Sequence, residues 1–222
     1  MYTTCLIPAR GGSKGIPRKN IIEVCGRPLI AWVVESALES GVFDEVWIST
    51  DDDEIEAVAL KLGARVHRRA PATATPEAST EAAVEDFLKS HTATDICITQ
   101  ATSPLTTADH FREAHSKFKT GGYDSLVTTT RQHLFLWSEA AEPINYDPAS
   151  RPRRQDWDGV LVENGAFYFT SVSAFYGSGH RLGGNRTVYE MPSYCSVDLD
   201  EPDDLIVCEA LLRKYRMNRD SR

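Results

Sequence analysis

The sequence predicts an α/β fold in three layers, a mostly parallel sheet covered by helices on both faces. Two observations predict it. Short apolar runs of strand length alternate with longer segments whose apolar residues recur every 3.6 positions. Glycine, proline and aspartate punctuate the joins, which is the rhythm of successive β-α units around a parallel sheet.

Residues 5–8 read as a buried strand that runs into a Gly-rich turn. Pro28 then opens a helix with Leu29, Ile30, Val33, Val34, Ala37 and Leu38 on one stripe and Gly41 placed to end it. A strand at 46–49 leads to Asp52, the cap of a helix that carries Ile55, Val58, Ala59 and Leu62 and stops at Gly63. A short strand at 64–67 and a helix at 79–89, with Ala83, Phe87 and Leu88 inward, follow. After a strand at 95–100, Thr106-x-x-Asp109 resembles a capping box for the helix bearing Phe111, Ala114 and Phe118. A strand at 123–128 closes this half. From 131 to 164 the rhythm breaks into an arm rich in proline and arginine, a length of irregular chain that usually has a function. Strands are expected at 165–171, 187–191 and 194–197, a closing helix at 201–215, and frayed polar residues at 216–222. One domain over 1–222 is expected, with 131–164 as its arm.

Composition narrows the partners. With 24 Lys+Arg against 32 Asp+Glu the net charge is −8, which offers no basic face for nucleic acid or anionic lipid. No apolar run approaches the ~20 residues of a membrane span, and the first residues lack the pattern of a signal peptide. A chain of 222 residues buries roughly 70% of its unfolded surface and needs no disulfide or metal to fold. The five cysteines include no C-x-x-C pair and are expected as reduced thiols, Cys5 and Cys97 as core fillers. The six histidines form no zinc motif.

The most informative segment follows the first strand: Arg10-Gly11-Gly12-Ser13-Lys14-Gly15-Ile16-Pro17-Arg18-Lys19-Asn20. Three glycines allow a tight turn that presents N–H groups to an anion, and four basic side chains gather in an acidic protein. The end of a parallel strand is where open α/β sheets bind ligands, and a polyphosphate suits this loop. It is neither G-x-x-x-x-G-K-[ST] nor G-x-G-x-x-G. The plainer alternative is a solvated basic turn. Near the other end, Ser196-Val197-Asp198-Leu199-Asp200 would, on a strand, point both aspartates to one side roughly 7 Å apart. Facing phosphate oxygens, such a pair suits Mg²⁺. Its plainer alternative is two turn-forming aspartates before Glu201-Pro202.

With the strand before it and the helix after it, the first loop resembles the opening motif of the N-acylneuraminate cytidylyltransferases, the CMP-sialic acid synthetases. The likeness continues through Gln100-Ala101-Thr102-Ser103-Pro104, Arg151-Pro152-Arg153-Arg154-Gln155-Asp156-Trp157-Asp158-Gly159 and Glu163-Asn164-Gly165-Ala166-Phe167-Tyr168-Phe169 to the two aspartates. It spans residues 4–212 and is nearest the catalytic domain of the animal-type enzymes. The phosphatase-like domain that follows in those enzymes is not expected here. The resemblance implies a Rossmann-like fold of the nucleotide-diphospho-sugar transferase type with a protruding dimerisation arm.

It implies CMP transfer from CTP to the anomeric hydroxyl of a free sialic acid, with release of pyrophosphate. Arg10, Gly11, Gly12, Ser13, Lys14 and Lys19 would handle the triphosphate. Asn20, Arg69 and Ser79 would contact the cytidine, with Arg68-Arg69 and Ser79-Thr80 leaving the register open by one residue. Asp198 and Asp200 would hold Mg²⁺, or Mn²⁺ in its place, and with Arg10 and Lys19 make up the implied catalytic set. No side chain stands out as an independent general base. Gln100, Arg154 and Gln155 would meet the nine-carbon sugar acid, whose carboxylate calls for a guanidinium or comparable donors. Phe167 and Phe169, sharing one strand face, would wall its N-acyl group, or serve as ordinary core aromatics. Arg151 and Arg153 are read as solvated charges or arm contacts.

The family's arm packs on a second subunit, so a homodimer or a tetramer built from it is expected, with Trp137, Trp157 and the arm's prolines supplying buried surface. Alternatives are the same chemistry on deaminated neuraminic, legionaminic or pseudaminic acid or Kdo, or a non-catalytic nucleotide-binding protein. A nucleic-acid-binding module is the weakest option. The cytoplasm is the expected compartment, with the nucleus as the alternative for an animal-type source.

Overall fold

The apolar run near the start of the chain forms the middle of the sheet. In a computed structural model that describes residues 2–13 and 15–217, Thr3 to Ile7 are all buried. In chain order the elements are β1 (Thr3–Pro8), the two-residue strands β2 (Glu23–Val24) and β3 (Arg27–Pro28), α1 (Leu29–Ser40), β4 (Glu45–Thr50), α2 (Asp53–Lys61), β5 (Arg65–Arg68), α3 (Thr80–Leu88), β6 (Asp95–Thr99), α4 (Ala108–Thr120), β7 (Ser125–Gln132), β8 (Val160–Ser171), α5 (Val172–Ser178), β9 (Arg186–Met191) and α6 (Pro202–Tyr215). The main sheet has seven strands in the order β5-β4-β1-β6-β8-β7-β9, and β2 and β3 make a separate hairpin. All neighbours are parallel except β8, which is antiparallel to both β6 and β7. The arm leaves β7 and returns as β8 beside it, so the chain reverses there without a crossover.

Local signals in the sequence set most helix ends. Gly41 takes the left-handed conformation (φ 66°) after α1. The Asp52 carboxylate accepts the N–H groups of Glu54 and Ile55, each at 3.0 Å, and Ser79 Oγ accepts Ala82 N–H at 3.1 Å. The cap of α4 is Thr107, not the expected Thr106: Thr107 and His110 form the capping box. Thr106 is buried, and its carbonyl accepts from Ser36 Oγ at 2.9 Å, while Asp109 turns outward to Arg112.

Helices α1, α2, α4 and α6 cover one sheet face, and α3 and α5 the other. Phe167 and Phe169 lie on the first face among Phe43, Phe111 and Phe118, with Phe118 stacked on Phe169 at 5.5 Å. Cys5 and Cys97 are buried core residues, as expected, whereas Leu38 sits at the edge of its helix stripe and is exposed.

Two boundaries differ from expectation. Strands β7 and β8 continue as an antiparallel ribbon past a bulge between Val127 and Thr129, so the arm is 133–159 rather than 131–164. Polar residues 129–132 hide the strand character of the β7 side of that ribbon, and residues 160–162 opposite them are a short apolar run without alternation. The arm also has local order. Phe135 stacks on Trp157 at 4.8 Å and 6°, Tyr146 packs at 4.5 Å, and the Arg151 guanidinium lies 4.3 Å from the Phe135 ring. Second, 194–197 is not a strand. Ser193–Ser196 is a 3-10 turn closed by Cys195 N–H to Pro192 C=O at 2.9 Å, because β9 ends at Met191 and the proline turns the chain off the sheet.

Candidate active site

The loop after β1 is built by contacts that its glycines permit. Ala9 N–H prolongs the ladder to Ser49 C=O at 2.9 Å, and Gly11 N–H donates to Asp51 Oδ1 at 2.9 Å. A Cβ on Gly11 would stand 2.6 Å from Asp52 Oδ2, and one on Gly15 would stand 2.2 Å from the Asp200 carbonyl oxygen. These two positions therefore need glycine for close approach. The loop then brings Arg10, Ser13, Gly15, Lys19 and Asn20 to an open cavity of about 530 Å³. Gly11 and Gly12 do not line it, and the Gly11 N–H is committed to Asp51 rather than offered to an anion. Lys14 lies outside the described residues.

The basic residues of the loop have different fates. Arg18, itself left-handed (φ 56°), turns to the start of α2, where it bonds Asp52 at 2.5 and 3.0 Å and Glu54 at 2.7 Å. Its guanidinium holds the Asp52 carboxyl below the usual carboxylate range, with burial opposing. Arg10 donates to Thr75 C=O at 2.6 Å and keeps to the cavity. Lys19 Nζ donates to Leu199 C=O at 2.6 Å and to Asp200 Oδ1 at 3.0 Å, which ties the first loop to the segment before α6. Asn20 is buried and donates to Arg10 C=O at 3.0 Å.

Arg69 follows β5 and is buried against the cavity. It donates to Ser49 Oγ at 3.2 Å, Ser49 C=O at 2.7 Å and Thr73 C=O at 3.2 Å, all neutral oxygens. Burial pushes its pKa down, with the nearby Asp51 carboxylate opposing. Its neighbour Arg68 points away, pairing with Asp53 and Glu56, so of the doublet Arg69 alone lines this cavity. Ser79 and Thr80 both line the cavity at the start of α3.

Gln100 reaches the cavity just past β6, with Thr102 and Ser103 beside it. From β8 come Asn164, Gly165 and Tyr168, of which the sequence reading assigned none to the site. Alternation along β8 was the available signal: with Phe167 and Phe169 on one face, Tyr168 is turned to the other, where it is buried against the cavity. The expected wall of Phe167 and Phe169 is therefore corrected, since both are fully buried on the face covered by α1, α2, α4 and α6 and absent from the cavity lining. Tyr168 Oη donates to Glu163 Oε1 at 2.5 Å, and burial together with that carboxylate pushes its pKa up. Its proton is thus committed, and a ligand group would meet an oxygen lone pair. The Arg181 guanidinium sits 4.9 Å from the Tyr168 ring and is clamped by Glu81 at 2.7 and 3.0 Å.

Asp198 and Asp200 both line the cavity while Leu199 is fully buried between them. The segment is an irregular stretch before α6, not the expected strand. Asn164 steadies the preceding turn through Nδ2 to Cys195 C=O at 3.0 Å. Arg154 and Gln155 are exposed on the arm and do not line this chain's own cavity. The cavity thus opposes three cations, Arg10, Lys19 and Arg69, to two exposed carboxylates, and it sits beyond the carboxyl ends of β1 and β6 as open α/β sheets dictate.

A cytidylyltransferase family model matches residues 4–199, which include the loop after β1 and nearly all of the cavity lining and the sheet. The chain belongs to the cytidylyltransferase family. Within this family the chain is 44% identical over 222 residues to N-acylneuraminate cytidylyltransferase A of Danio rerio, an alignment that covers 96% of this chain and 51% of that relative. The chain thus spans about half the length of that relative. It is 34% identical to a pseudaminic acid cytidylyltransferase of Campylobacter jejuni, covering 100% of this chain and 99% of the relative. Among solved structures, a CMP:2-keto-3-deoxy-manno-octonic acid synthetase complexed with CTP superposes with a TM-score of 0.74 at 18% identity, covering 96% and 99% of the two chains. That likeness shows the three-layer αβα Rossmann-like fold.

The Arg18–Asp52 pair gives the loop a pH-dependent anchor. A carboxyl depressed in the folded state contributes stability above its unfolded pKa and loses it as pH falls through the folded value. Arg18→Met, which keeps the backbone and removes the charge, should therefore lower the denaturation midpoint at pH 7, and the gap from the parent should close in acid below the ordinary Asp value of 3.8. Urea unfolding across that range checks it, and a gap that stays constant would contradict the assignment.

Proposed function

We propose that this chain transfers CMP from CTP to the anomeric hydroxyl of a free sialic acid, releasing pyrophosphate. The observation that carries the proposal is the meeting, in one cavity, of the loop cations Arg10 and Lys19 with the Asp198–Asp200 pair, in a chain 44% identical to an N-acylneuraminate cytidylyltransferase. Such a transfer depends on in-line positioning and on neutralising phosphate charge. Arg10, Ser13 and Lys19 hold the triphosphate, and Lys14 belongs to the same loop. Asn20, Arg69 and Ser79 take the cytidine on the β4–β5 side. Gln100 and Tyr168 take the sugar acid on the β6–β8 side, Tyr168 accepting from an N–H or O–H.

The donor set suits Mg²⁺. Two cavity-facing carboxylates alone make an incomplete cage, and no cluster of three or more His, Cys, Asp or Glu able to hold a metal occurs among the described residues. Mg²⁺ is commonly held by one or two carboxylates completed by phosphates and water, and Mn²⁺ prefers similar ligands. Asp198 and Asp200 would hold it, and it would offset phosphate charge and lower the pKa of the acceptor hydroxyl. Lys19, bonded to Asp200, keeps one carboxylate oriented before the ion arrives.

The carboxylate of the sugar acid suits a guanidinium beyond those given to the nucleotide, and Arg154 stands outside this chain's own cavity. The arm's exposed Leu134, Leu136, Trp137 and Ile144, with Leu161 and Val162 at the start of β8, form a surface suited to a second copy. A homodimer would cover that surface and bring Arg154 and Gln155 to the partner's cavity. Five unpaired cysteines, four of them buried, suit a reducing cytoplasm. No helix among the described residues is long and apolar enough to cross a membrane. A second reading, pseudaminic acid as acceptor, is favoured by the end-to-end match to the Campylobacter jejuni relative.

Pyrophosphate release with CTP and Mg²⁺ across N-acetylneuraminate, N-glycolylneuraminate, deaminated neuraminate, legionaminate, pseudaminate and Kdo tests the reading. N-acetylneuraminate should give the highest kcat/KM, and chelation of the divalent ion should stop release. A preference for pseudaminate selects the second reading, and CTP binding without release from any acid would point to a non-catalytic nucleotide-binding protein. Sedimentation at micromolar concentration should show a dimer, whereas a fully active monomer would contradict the role given to the arm.

A further inference from the structure

Behind the wall that carries Arg69 lies a polar cluster that the proposed reaction does not use. The N–H of Arg69 still follows the sheet, donating to Thr50 C=O at 3.0 Å. The next N–H, of Ala70, leaves it and donates to Asp86 Oδ2 on α3 at 2.8 Å. The same oxygen is 3.2 Å from His67 Nε2, and His67 Nδ1 is 3.3 Å from His91 Nε2. Aromatic rings enclose the cluster: His67 meets Phe87 edge-on at 5.5 Å, and His91 lies 4.6 Å from Phe87 and 4.3 Å from Trp47.

Hydrogen-bond roles follow from the partners. Asp86, ionised, only accepts, so His67 carries its proton on Nε2 when neutral and accepts at Nδ1 from His91 Nε2–H. The His67 and Asp86 side chains are only 9% and 12% exposed. A carboxylate so far from water stays ionised only when it is well bonded. Burial pushes the Asp86 carboxyl up, and the Ala70 N–H and His67 more than offset that. Both compensating groups belong to the stretch of chain that flanks Arg69.

We infer that Asp86 and His67 are positioning residues for Arg69, fixing the chain on either side of it so that the guanidinium enters the cavity already oriented. Asp86 rides on α3, whose first turn supplies Ser79 and Thr80 to the same cavity, so one carboxylate holds two parts of the nucleotide wall in register. Arg69 is bonded to Ser49 and Thr73 through its guanidinium but has no carboxylate partner among the described residues, and its direction depends on where its backbone is pinned. The inference rests on the reading of Arg69 as a nucleotide contact.

Calorimetric titration of CTP into the full chain tests it, alongside the urea midpoint of each variant. Asp86→Ala should weaken CTP about tenfold, while Asp86→Asn, which keeps an oxygen for the Ala70 N–H, should stay within about threefold of the parent. Arg69→Met should weaken CTP at least as much, and adding Asp86→Ala to it should cost little further, because both act through one contact. In steady state the loss should appear in KM for CTP, with kcat and KM for the sugar acid nearly unchanged. His67→Phe, which keeps the ring volume and removes the bond to Asp86, gives the same reading if Asp86→Ala does not fold, and should also weaken CTP. If Arg69→Met binds CTP as the parent does, the nucleotide reading of Arg69 fails and this inference with it. If Arg69→Met is impaired while folded Asp86→Ala or His67→Phe binds CTP normally, the positioning role alone is overturned.

Discussion

The bond from Lys19 to the segment before α6 is the constraint on which the cavity depends. Lys19 lies 180 residues from Leu199, and its ammonium donates to the Leu199 carbonyl and the Asp200 carboxylate together. The two contacts differ in weight. Asp200 is 70% exposed, so the ion pair is screened and contributes little by itself. The carbonyl contact is partly buried on a side chain only 16% exposed, and a hydrogen bond to a charged group there is worth about 1.5–3 kcal/mol. The closure therefore rests mainly on the carbonyl, and the carboxylate is held as a consequence. Gly15 makes the approach possible, since no side chain fits beneath the Asp200 carbonyl. Leu199, fully buried, sends Asp198 and Asp200 to the cavity on either side of it.

Around that closure the charges are sorted by burial. The chain carries a net −8, yet its cavity is lined by Arg10, Lys19 and Arg69. Arg18 belongs to the same loop and contributes nothing to the cavity, because Asp52 and Glu54 neutralise it at the start of α2. Arg69 is the reverse case, a buried cation bonded only to neutral oxygens among the described residues. Placing a guanidinium there costs desolvation that an anionic or strongly accepting ligand offsets, which is the logic of a preorganised binding site.

Much of the fold was legible because its signals are local. Gly41, Asp52 and Ser79 mark helix ends through their own backbone preferences, and the apolar stripes of α1 and α4 needed no tertiary knowledge. The failures share one cause, a contact made far along the chain. Thr106 lost its capping role to Thr107 because it is buried under α1. The β7–β8 ribbon was read as arm because the strands there are stabilised by each other rather than by apolar burial. Residues 194–197 have strand-like composition but no edge to pair with once Pro192 turns the chain. In the site, alternation correctly separated Tyr168 from Phe167 and Phe169 but could not say which side faced the cavity. Charge density likewise could not tell Arg18, paired across to α2, from Arg10 and Lys19.

The central claim, that Lys19 closes the cavity mainly through the Leu199 carbonyl and holds Asp200 as a consequence, is tested most directly by a double-mutant cycle read in stability. Lys19→Met, Asp200→Asn and the double variant would be compared by urea unfolding. Lys19→Met should cost about 1.5–3 kcal/mol, Asp200→Asn should cost little, and the coupling between them should stay below about 1 kcal/mol. A loss for Asp200→Asn equal to that of Lys19→Met, with full coupling between them, would contradict the claim and would mean that the ion pair closes the cavity.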